Sequence, residues 1–440
     1  MLRASTSGAF LRASGAALLV AASVPLVNWV VDPFWAFGSA TLRGFNAVKP
    51  AATHRARLSK AYSICRSQPD VVILGSSRAE FIFDPRHPAL AKIGRAYNFA
   101  LAGSGVYEMR RAIEHAYFAA GTRTAIVAMD FHMFNAYRER TIFQRTVMGY
   151  DESRLVLSER DSCLQAYARE LDLILFSAAA LKESWHTVTN QGFEIIYRRD
   201  GARDTARMDK YTLGGKNAQR NGFMGQVRAY MEHVWFTPPS ARYCFDAESA
   251  TPVMQDFREM LRFARDHGIE LHLVLTPEHA LIQRGIVETG LWPLYERWRR
   301  ELVAAIDEEA RAHPGENAVA LWDFAGHDPL NAEPLPPLVP AYEQHMRYWY
   351  EGTHSQLEAG NLILDKILGF ESDRTPVPGF GVRIDASNID AHVERMRAEM
   401  LRYADENPDV VAWVKEIKAE VPTHEDPLAY CIEEAADAAE

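Results

Sequence analysis

The chain has 440 residues, of which 48% are hydrophobic and 24% charged, a composition that supports a large buried core. This length fits either one large domain with insertions or two domains. The formal net charge of −10 argues against nucleic acid as a partner, because binding phosphates needs a basic surface. One local stretch, residues 198–228, is rich in Arg and Lys. It is interpreted as a solvated face, with an anionic substrate as the alternative.

Near the N-terminus, residues 15–31 form an uncharged and mainly apolar run behind Arg3 and Arg12. About 20 apolar residues span a bilayer, and the aromatic segment "FWAF" that follows is typical of a membrane interface. No A-x-A cleavage pattern follows the run. We therefore predict an uncleaved signal anchor over residues 1–31 and a periplasmic domain beyond it. A cleaved signal peptide and a buried core helix are the alternatives.

Residues 32–68 are predicted to be a linker, and an α/β domain is expected over residues 69–371. Five apolar, β-rich runs separated by helical patterns predict a doubly wound parallel sheet. These runs are residues 70–75, 96–100, 124–130, 269–276 and 318–324. The interval 131–255 is too long for a loop, so it predicts a largely helical insertion over the carboxyl edge of the sheet.

The C-terminal part, residues 372–440, is predicted to be a linker, a helix that docks on the α/β domain, and a frayed acidic tail. It begins with a Pro- and Gly-rich linker and ends in an acidic tail. Between them, one apolar stripe predicts an amphipathic helix. The stripe consists of Ile389, Val393, Met396 and Met400.

The four cysteines, Cys65, Cys163, Cys244 and Cys431, show no C-x-x-C spacing. Neither a zinc ribbon nor a thioredoxin-type site is therefore indicated. A Cys163–Cys244 disulfide and free buried thiols are the two interpretations. The sequence also lacks H-E-x-x-H and comparable metal-binding spacings, so neither a metal nor another cofactor is expected.

Polar motifs follow three of the predicted strands. "GSSR" (75–78) follows the first, "GSG" (103–105) follows the second, and "DFHMFN" (130–135) includes the end of the third. Glu351 and His354 stand three residues apart just before a predicted helix. Because the carboxyl ends of parallel strands meet at one edge of a sheet, these motifs are expected to converge there.

In this order the motifs resemble the blocks of the SGNH, or GDSL, hydrolase family, over about residues 68–370. The resemblance implies a flavodoxin-like sheet of five parallel strands. It assigns Ser77 as the nucleophile, His354 as the base and Glu351 as the acid. The oxyanion hole would consist of the Ser77 and Gly103 N–H groups and the Asn135 amide. The chain is most similar to the membrane-anchored branch of the family, whose members resemble proteins that transfer acyl groups onto cell-envelope polymers.

The chain departs from the family pattern at three points. Ser76 replaces the Asp that precedes the nucleophile, "MDFHMFN" replaces Gly-x-Asn-Asp, and Glu351 replaces the Asp of the last block. Asp323, at the end of the fifth strand, is an alternative acid, and a Ser–His site without a carboxylate is a third option. The G-x-S-x-G elbow of α/β-hydrolases is excluded because Ala79 occupies its second Gly position.

Further polar residues are expected near the same edge. Asp130 and His132 resemble the D-x-H pair of alginate O-acetylation proteins, which makes them an alternative dyad. Substrate contacts are expected from these two residues and from Arg78 and His279.

The expected function is that of an exported serine esterase or O-acyltransferase acting on acyl groups, such as acetyl, of a cell-envelope glycan or glycolipid. A membrane protein that donates the acyl group is a further expected partner. The alternative is a catalytically silent carbohydrate-binding or scaffold protein of polysaccharide assembly. The presence of a serine, a histidine and an acid favours the enzyme, because a scaffold has no physical need for all three.

Overall fold

The computed structural model describes residue 14 and residues 22–138, 150–193, 196–204, 218–236, 242–245, 253–314, 319–335 and 345–421. The strands are β1 (Val71–Leu74), β2 (Ala96–Asn98), β3 (Thr124–Met129), β4 (Glu270–Leu275), β5 (Ala320–Asp323), β6 (Trp349–Glu351), β7 (His354–Ser355) and β8 (Val382–Ile384). Helices up to the insertion are α1 (Pro50–His54), α2 (Ala56–Ser67), α3 (Ser77–Ile82), α4 (Pro88–Ile93) and α5 (Val106–Ala120). Those of the insertion are α6 (Cys163–Leu171), α7 (Ala178–Thr189) and α8 (Ala218–Ala229). The later helices are α9 (Val253–Asp266), α10 (Ala280–Glu288), α11 (Trp292–Ala312), α12 (Leu357–Ile367), α13 (Ile389–Glu406) and α14 (Pro408–Glu420).

The main sheet is mixed and has the strand order β2-β1-β3-β4-β5-β8. Strands β1 to β5 are parallel at the five positions that the apolar runs predicted, which confirms this part of the fold. All residues of β1 and β3 are buried, as expected for central strands with helices on both faces. The prediction of a purely parallel five-stranded sheet is wrong, because β8 adds a sixth strand antiparallel to β5.

The C-terminal part contributes side chains to the same hydrophobic core as the sheet, so its helices dock on the α/β domain. Helix α13 buries the predicted stripe and packs against α11, which confirms the amphipathic helix. Helix α14, which was not predicted, buries Val414 and Ile417 and packs against α10. The predicted acidic tail beyond residue 421 lies outside the described residues.

The segment 32–68, predicted to be a linker, is folded. Helices α1 and α2 occupy most of its second half. Phe34, Leu58 and Tyr62 form a small core with Ile174 of the insertion. Lys49 is also buried, and its ammonium group donates to the carbonyl oxygens of Val31 at 2.6 Å and Asp32 at 2.9 Å. Apolar burial and satisfied polar groups thus fix this segment to the domain.

Only part of the predicted signal anchor can be located. Residues 22–31 are helical, whereas residues 15–21 lie outside the described residues. Within the described ranges, no helix is long and apolar enough to cross a membrane.

The insertion, 131–255, is largely helical in its described parts, as predicted. Its first half, with α6 and α7, packs against the N-terminal segment. Its second half, with α8 and a π-helical turn at Tyr230–Val234, contributes Phe223, Met231 and Trp235 to the main core. This second half lies beside the hairpin of β6 and β7.

A disulfide joins Cys65 at the end of α2 to Cys163 at the start of α6, with 5.8 Å between the Cα atoms. The predicted Cys163–Cys244 pairing is therefore wrong. Cys244 is disulfide-bonded as well, and no free cysteine is found in the described chain. The expectation of free buried thiols is wrong for these three residues.

Because the Cys65–Cys163 bond joins residues 98 positions apart, it restricts the unfolded chain strongly. We expect the double variant Cys65→Ala/Cys163→Ala to lose about 2–5 kcal/mol of unfolding free energy. Urea unfolding of the variant is a better measurement than adding a reductant, which would also reduce Cys244. An unchanged urea midpoint and slope would contradict the expectation.

Candidate active site

Ser77 is the first residue of α3, three positions after Leu74, the last residue of β1. Between them, Gly75 has φ +146°, and a Cβ there would lie 2.8 Å from Ala79 Cβ and 2.9 Å from Ala128 Cβ. The sharp change from strand to helix therefore requires glycine. Ser76 caps the helix, since its Oγ accepts the Arg78 N–H at 3.2 Å. These constraints display the Ser77 hydroxyl at the carboxyl edge of the sheet.

His354 faces Ser77 from the start of β7, in the hairpin that β6 and β7 form. Its Nε2 lies 2.7 Å from Ser77 Oγ, and its Nδ1 is hydrogen-bonded to Glu351 Oε1. The hairpin pairs Glu351 with His354, which places the carboxylate beside the imidazole. The side chains of His354 and Glu351 are 20% and 12% exposed. The structure thus brings the predicted serine, histidine and acid together in one hydrogen-bonded line.

The Glu351 carboxylate is held as an anion. Burial alone would raise its pKa, but the charge of His354 and hydrogen bonds from His354 and Thr353 outweigh burial, so the pKa is lowered. Thr353 donates its backbone N–H at 2.9 Å and its hydroxyl at 3.1 Å. A carboxylate fixed in this way favours the tautomer with a proton on Nδ1 and a free acceptor at Nε2.

Phe81 supports the imidazole from one turn further along α3. Its ring centroid lies 4.7 Å from that of His354, and it also makes a T-shaped contact with Tyr350 at 5.8 Å. The spacing of four residues puts Phe81 on the same helix face as Ser77. This contact restricts the rotation of His354.

Asp323, the alternative acid, is engaged elsewhere. Its carboxylate accepts from Arg299 Nε at 2.6 Å and from the imidazole of His392 at 2.8 Å. Burial opposes ionisation, but the Arg299 guanidinium and His392 outweigh it and lower the Asp323 pKa. Asp323 therefore acts as a structural anion between β5, α11 and α13. The structure does not bring it to His354.

Asp130 and Arg78 form a buried polar cluster beneath the serine. Asp130 accepts from the Ser76 hydroxyl at 2.5 Å and also from the Thr276 hydroxyl. Arg78 is 3% exposed and donates to Glu278 at 2.8 Å and to the Tyr230 hydroxyl at 3.1 Å. Both side chains were predicted to contact substrate. Instead, Asp130 joins segments that follow β1 and β4, and Arg78 joins this cluster to the insertion through Tyr230.

His279, the third predicted substrate contact, is 1% exposed and caps α10. Its Nε2 lies 2.8 Å from the Glu333 carbonyl oxygen, and its Nδ1 accepts the Leu281 N–H at 3.2 Å. Burial lowers its pKa to about 4. The structure therefore gives His279 a capping role in place of a substrate contact.

Asn135, predicted to donate to an oxyanion, uses its amide inside the insertion. Nδ2 donates to the carbonyl oxygens of Trp235 at 2.9 Å and Arg242 at 2.8 Å. Both amide hydrogens are thereby committed, so the predicted oxyanion role is not supported. Gly103 lies in the turn after β2 with φ +70°, and no acceptor for its N–H is found in the described ranges. The Ser77 N–H, at the helix start, has no intrahelical acceptor.

His132 lies in the 3₁₀ turn after β3 and is 6% exposed. Neither ring nitrogen has a hydrogen-bond partner within the part of the chain that the structure describes. Its ring packs edge-on against Tyr230, with centroids 5.8 Å apart. Burial, together with the positive charges of Arg138 and Arg78, lowers the His132 pKa well below its ordinary value. The imidazole is therefore neutral, with one donor and one acceptor. The alternative Asp130–His132 dyad is not formed, since Asp130 bonds to other groups.

Sequence patterns did not indicate two of the residues that position the site. Ser76 links the helix cap to Asp130, and Phe81 packs on His354. An aromatic residue four positions after the serine was the available signal for Phe81.

No group of His, Cys, Asp and Glu that could hold a metal ion is found in the described ranges. No protein-family model matches the chain, and no curated protein is significantly similar to it.

Replacing Asp323 by Asn should leave the Arg299 guanidinium buried without its counter-charge. We expect a loss of about 3–5 kcal/mol of unfolding free energy at neutral pH, measured by urea unfolding. Because the folded pKa of Asp323 is lowered, its stabilisation is present above the unfolded pKa of about 3.9 and is lost as pH falls through the folded pKa.

The difference between Asp323→Asn and wild type should therefore shrink below about pH 4. Asp390→Asn is the matched control, because its ion pair with Arg300 is exposed and should contribute no more than about 1 kcal/mol. Equal stabilities of Asp323→Asn and wild type at neutral pH would contradict the structural role.

Proposed function

We propose that this protein is a serine esterase or O-acyltransferase whose nucleophile is Ser77, whose general base is His354 and whose acid is Glu351. The observation that carries the proposal is the hydrogen-bonded line from Ser77 Oγ through the imidazole to Glu351. A serine hydroxyl becomes an effective nucleophile when an imidazole accepts its proton and a carboxylate fixes the imidazole tautomer. The resemblance to SGNH hydrolases assigns the same three residues.

In the first half-reaction, Ser77 Oγ attacks the acyl carbonyl carbon while His354 Nε2 accepts the hydroxyl proton. The tetrahedral intermediate collapses, the bond to the leaving oxygen breaks, and the imidazolium returns the proton to that oxygen. The products are an alcohol and an acyl ester of Ser77. An acceptor hydroxyl, from water or a sugar, then repeats these steps in reverse and frees the serine.

The negative charge on the intermediate needs fixed hydrogen-bond donors. The Ser77 and Gly103 N–H groups are the two backbone candidates, and each donor of this kind contributes about 3 kcal/mol of transition-state stabilisation. Because Asn135 is committed to the insertion, the neutral His132 side chain is the candidate for a third donor or for a substrate contact. This assignment replaces Asn135 in the family pattern.

The envelope location belongs to the same proposal. The Cys65–Cys163 disulfide is typical of proteins that fold in an oxidising compartment such as the periplasm. The apolar N-terminal run supplies an export signal or anchor. A cell-envelope glycan or glycolipid is the proposed acyl acceptor or ester substrate, with a membrane acyl-donor protein as the proposed partner.

A fluorophosphonate probe tests the nucleophile directly. We expect one covalent adduct on the tryptic peptide that contains Ser77, and its loss in Ser77→Ala. Ser67→Ala is the matched control, since this serine lies on α2 and bonds to the Ser63 carbonyl oxygen. If folded wild-type protein stays unlabelled between pH 6 and 9, the catalytically silent scaffold becomes the better function.

The acid is tested by the kinetics of Glu351→Gln and Asp323→Asn on p-nitrophenyl acetate. An amide at position 351 would donate to Nδ1 and move the imidazole proton to Nε2, where it blocks the transfer from Ser77. We expect kcat to fall by up to about four orders of magnitude in Glu351→Gln. Folded Asp323→Asn should retain a kcat near that of wild type.

Glu358→Gln is the matched control, because Glu358 pairs with Arg347 at an exposed position. The opposite pattern, a large loss in folded Asp323→Asn with Glu351→Gln near wild type, would assign the acid to Asp323.

A further inference from the structure

Exposed large hydrophobic side chains are concentrated around the base of the N-terminal helix. Within the described ranges, seven of the eleven such side chains lie there, at 40–72% exposure. We call this set the apolar collar: Leu26, Val27, Trp29, Val30, Leu42, Phe176 and Trp185. Single exposed apolar residues are common on soluble proteins, whereas a contiguous group marks an interaction surface.

Hydrogen bonds around the buried Asn28 bring the two insertion aromatics to this helix. Asn28 Nδ2 donates to the Leu175 carbonyl oxygen, and Asn28 Oδ1 accepts from the Ser184 hydroxyl, both at 2.8 Å. Phe176 and Trp185 directly follow these two partners in the chain. Both exposed aromatic residues are therefore chain neighbours of groups that bond to the helix.

Leu42 is joined to the helix by a second set of bonds. Asn46 Nδ2 donates to the Val30 carbonyl oxygen at 3.1 Å, and Asn46 Oδ1 accepts the Leu42 N–H at 2.7 Å. The collar residues outside the helix are thus held near it by hydrogen bonds of Asn28 and Asn46, where the helix enters the domain.

The helix itself is unsuited to water. Within residues 22–31 only Asn28 and Val31 are buried, so the apolar side chains between them and before them are exposed or half-buried. A helix that is apolar on all sides belongs in a protein core or a lipid phase. The preceding residues 15–21 carry no charge, so the apolar sequence extends further towards the N-terminus.

We propose that the apolar collar is seated in the interfacial region of a lipid bilayer. Trp side chains concentrate at this depth, and the collar contains two of them, Trp29 and Trp185. On the exposed stripe of α7, Lys182 stands one turn before Trp185, where its apolar stem can pack against acyl chains while its ammonium group contacts headgroup phosphates. The proposed position of the collar in the bilayer rests on these observations and does not depend on the catalytic proposal.

The junction between the helix and the domain is rigid. Asp32 accepts the N–H groups of Ala36 and Gly38 at 2.7 and 2.8 Å and two further N–H groups of the same turn. The helix therefore enters the folded domain with no flexible linker. A seated collar would fix the orientation of the whole domain relative to the bilayer.

Photo-crosslinking of the full chain in phosphatidylethanolamine–phosphatidylglycerol vesicles tests whether the apolar collar contacts lipid. A diazirine-bearing amino acid replaces Trp185 in one sample, Phe176 in a second and Leu401 in a third. Leu401 on α13 is the matched control, since its 56% exposure resembles that of Phe176 at 57% but it lies outside the collar. Unchanged thermal melting shows that each variant is folded.

We expect lipid adducts at positions 185 and 176 in several-fold higher yield than at position 401, measured by mass spectrometry. Two results would overturn the proposal. One is a yield at both collar positions no higher than at position 401, which would place the collar in water. The other is crosslinking to a second polypeptide in place of lipid, which would assign the collar to a protein partner.

Discussion

The position of Ser77, the proposed nucleophile, depends on neutralising one buried cation. Arg78 directly follows Ser77, and burying its guanidinium requires counter-charges. Glu278, at 2.8 Å, and Asp130, at 3.6 Å, supply them from segments that follow β4 and β3. The start of α3 is thereby tied to the ends of two neighbouring strands. Tyr230 extends the same cluster into the insertion, so strands and insertion are positioned around one charge.

Two carboxylates near strand ends illustrate how the partner decides the role of an acid. Asp323 faces Arg299, which stays protonated at every physiological pH. The negative charge of Asp323 is therefore held in a permanent ion pair. Glu351 faces an imidazole, whose charge changes with proton transfer. Asp323 also bonds to an imidazole, that of His392, but it is the His354 imidazole that contacts Ser77 Oγ and could accept a serine proton. Asp323 was considered as the acid because it lies at a strand end. That position does not reveal which partner the carboxylate has in the folded protein.

Features encoded locally could be predicted from the sequence, whereas those created by distant contacts could not. The five apolar runs, the Gly-Ser-Ser turn and the Glu351–His354 spacing are local, and the structure places them as expected. Asn135 was misassigned because its partners lie about 100 residues away, in the insertion. The Cys65–Cys163 pairing likewise depends on how α6 packs on α2. Strand β8 has three residues and one buried position, too little for a pattern.

Strand β8 also determines how the edges of the sheet are protected. At the opposite edge, the outward Asn98 N–H donates to the Asp200 carbonyl oxygen at 2.8 Å, so β2 is covered by the insertion. The edge of β5 is covered only when residues 382–384, which follow the α/β region in the chain, have been synthesised. An uncovered edge strand invites pairing with other chains. A fragment that ends before β8 would contain every proposed catalytic residue and still be prone to aggregate. The strand that protects the edge of β5 follows all of these residues in the sequence.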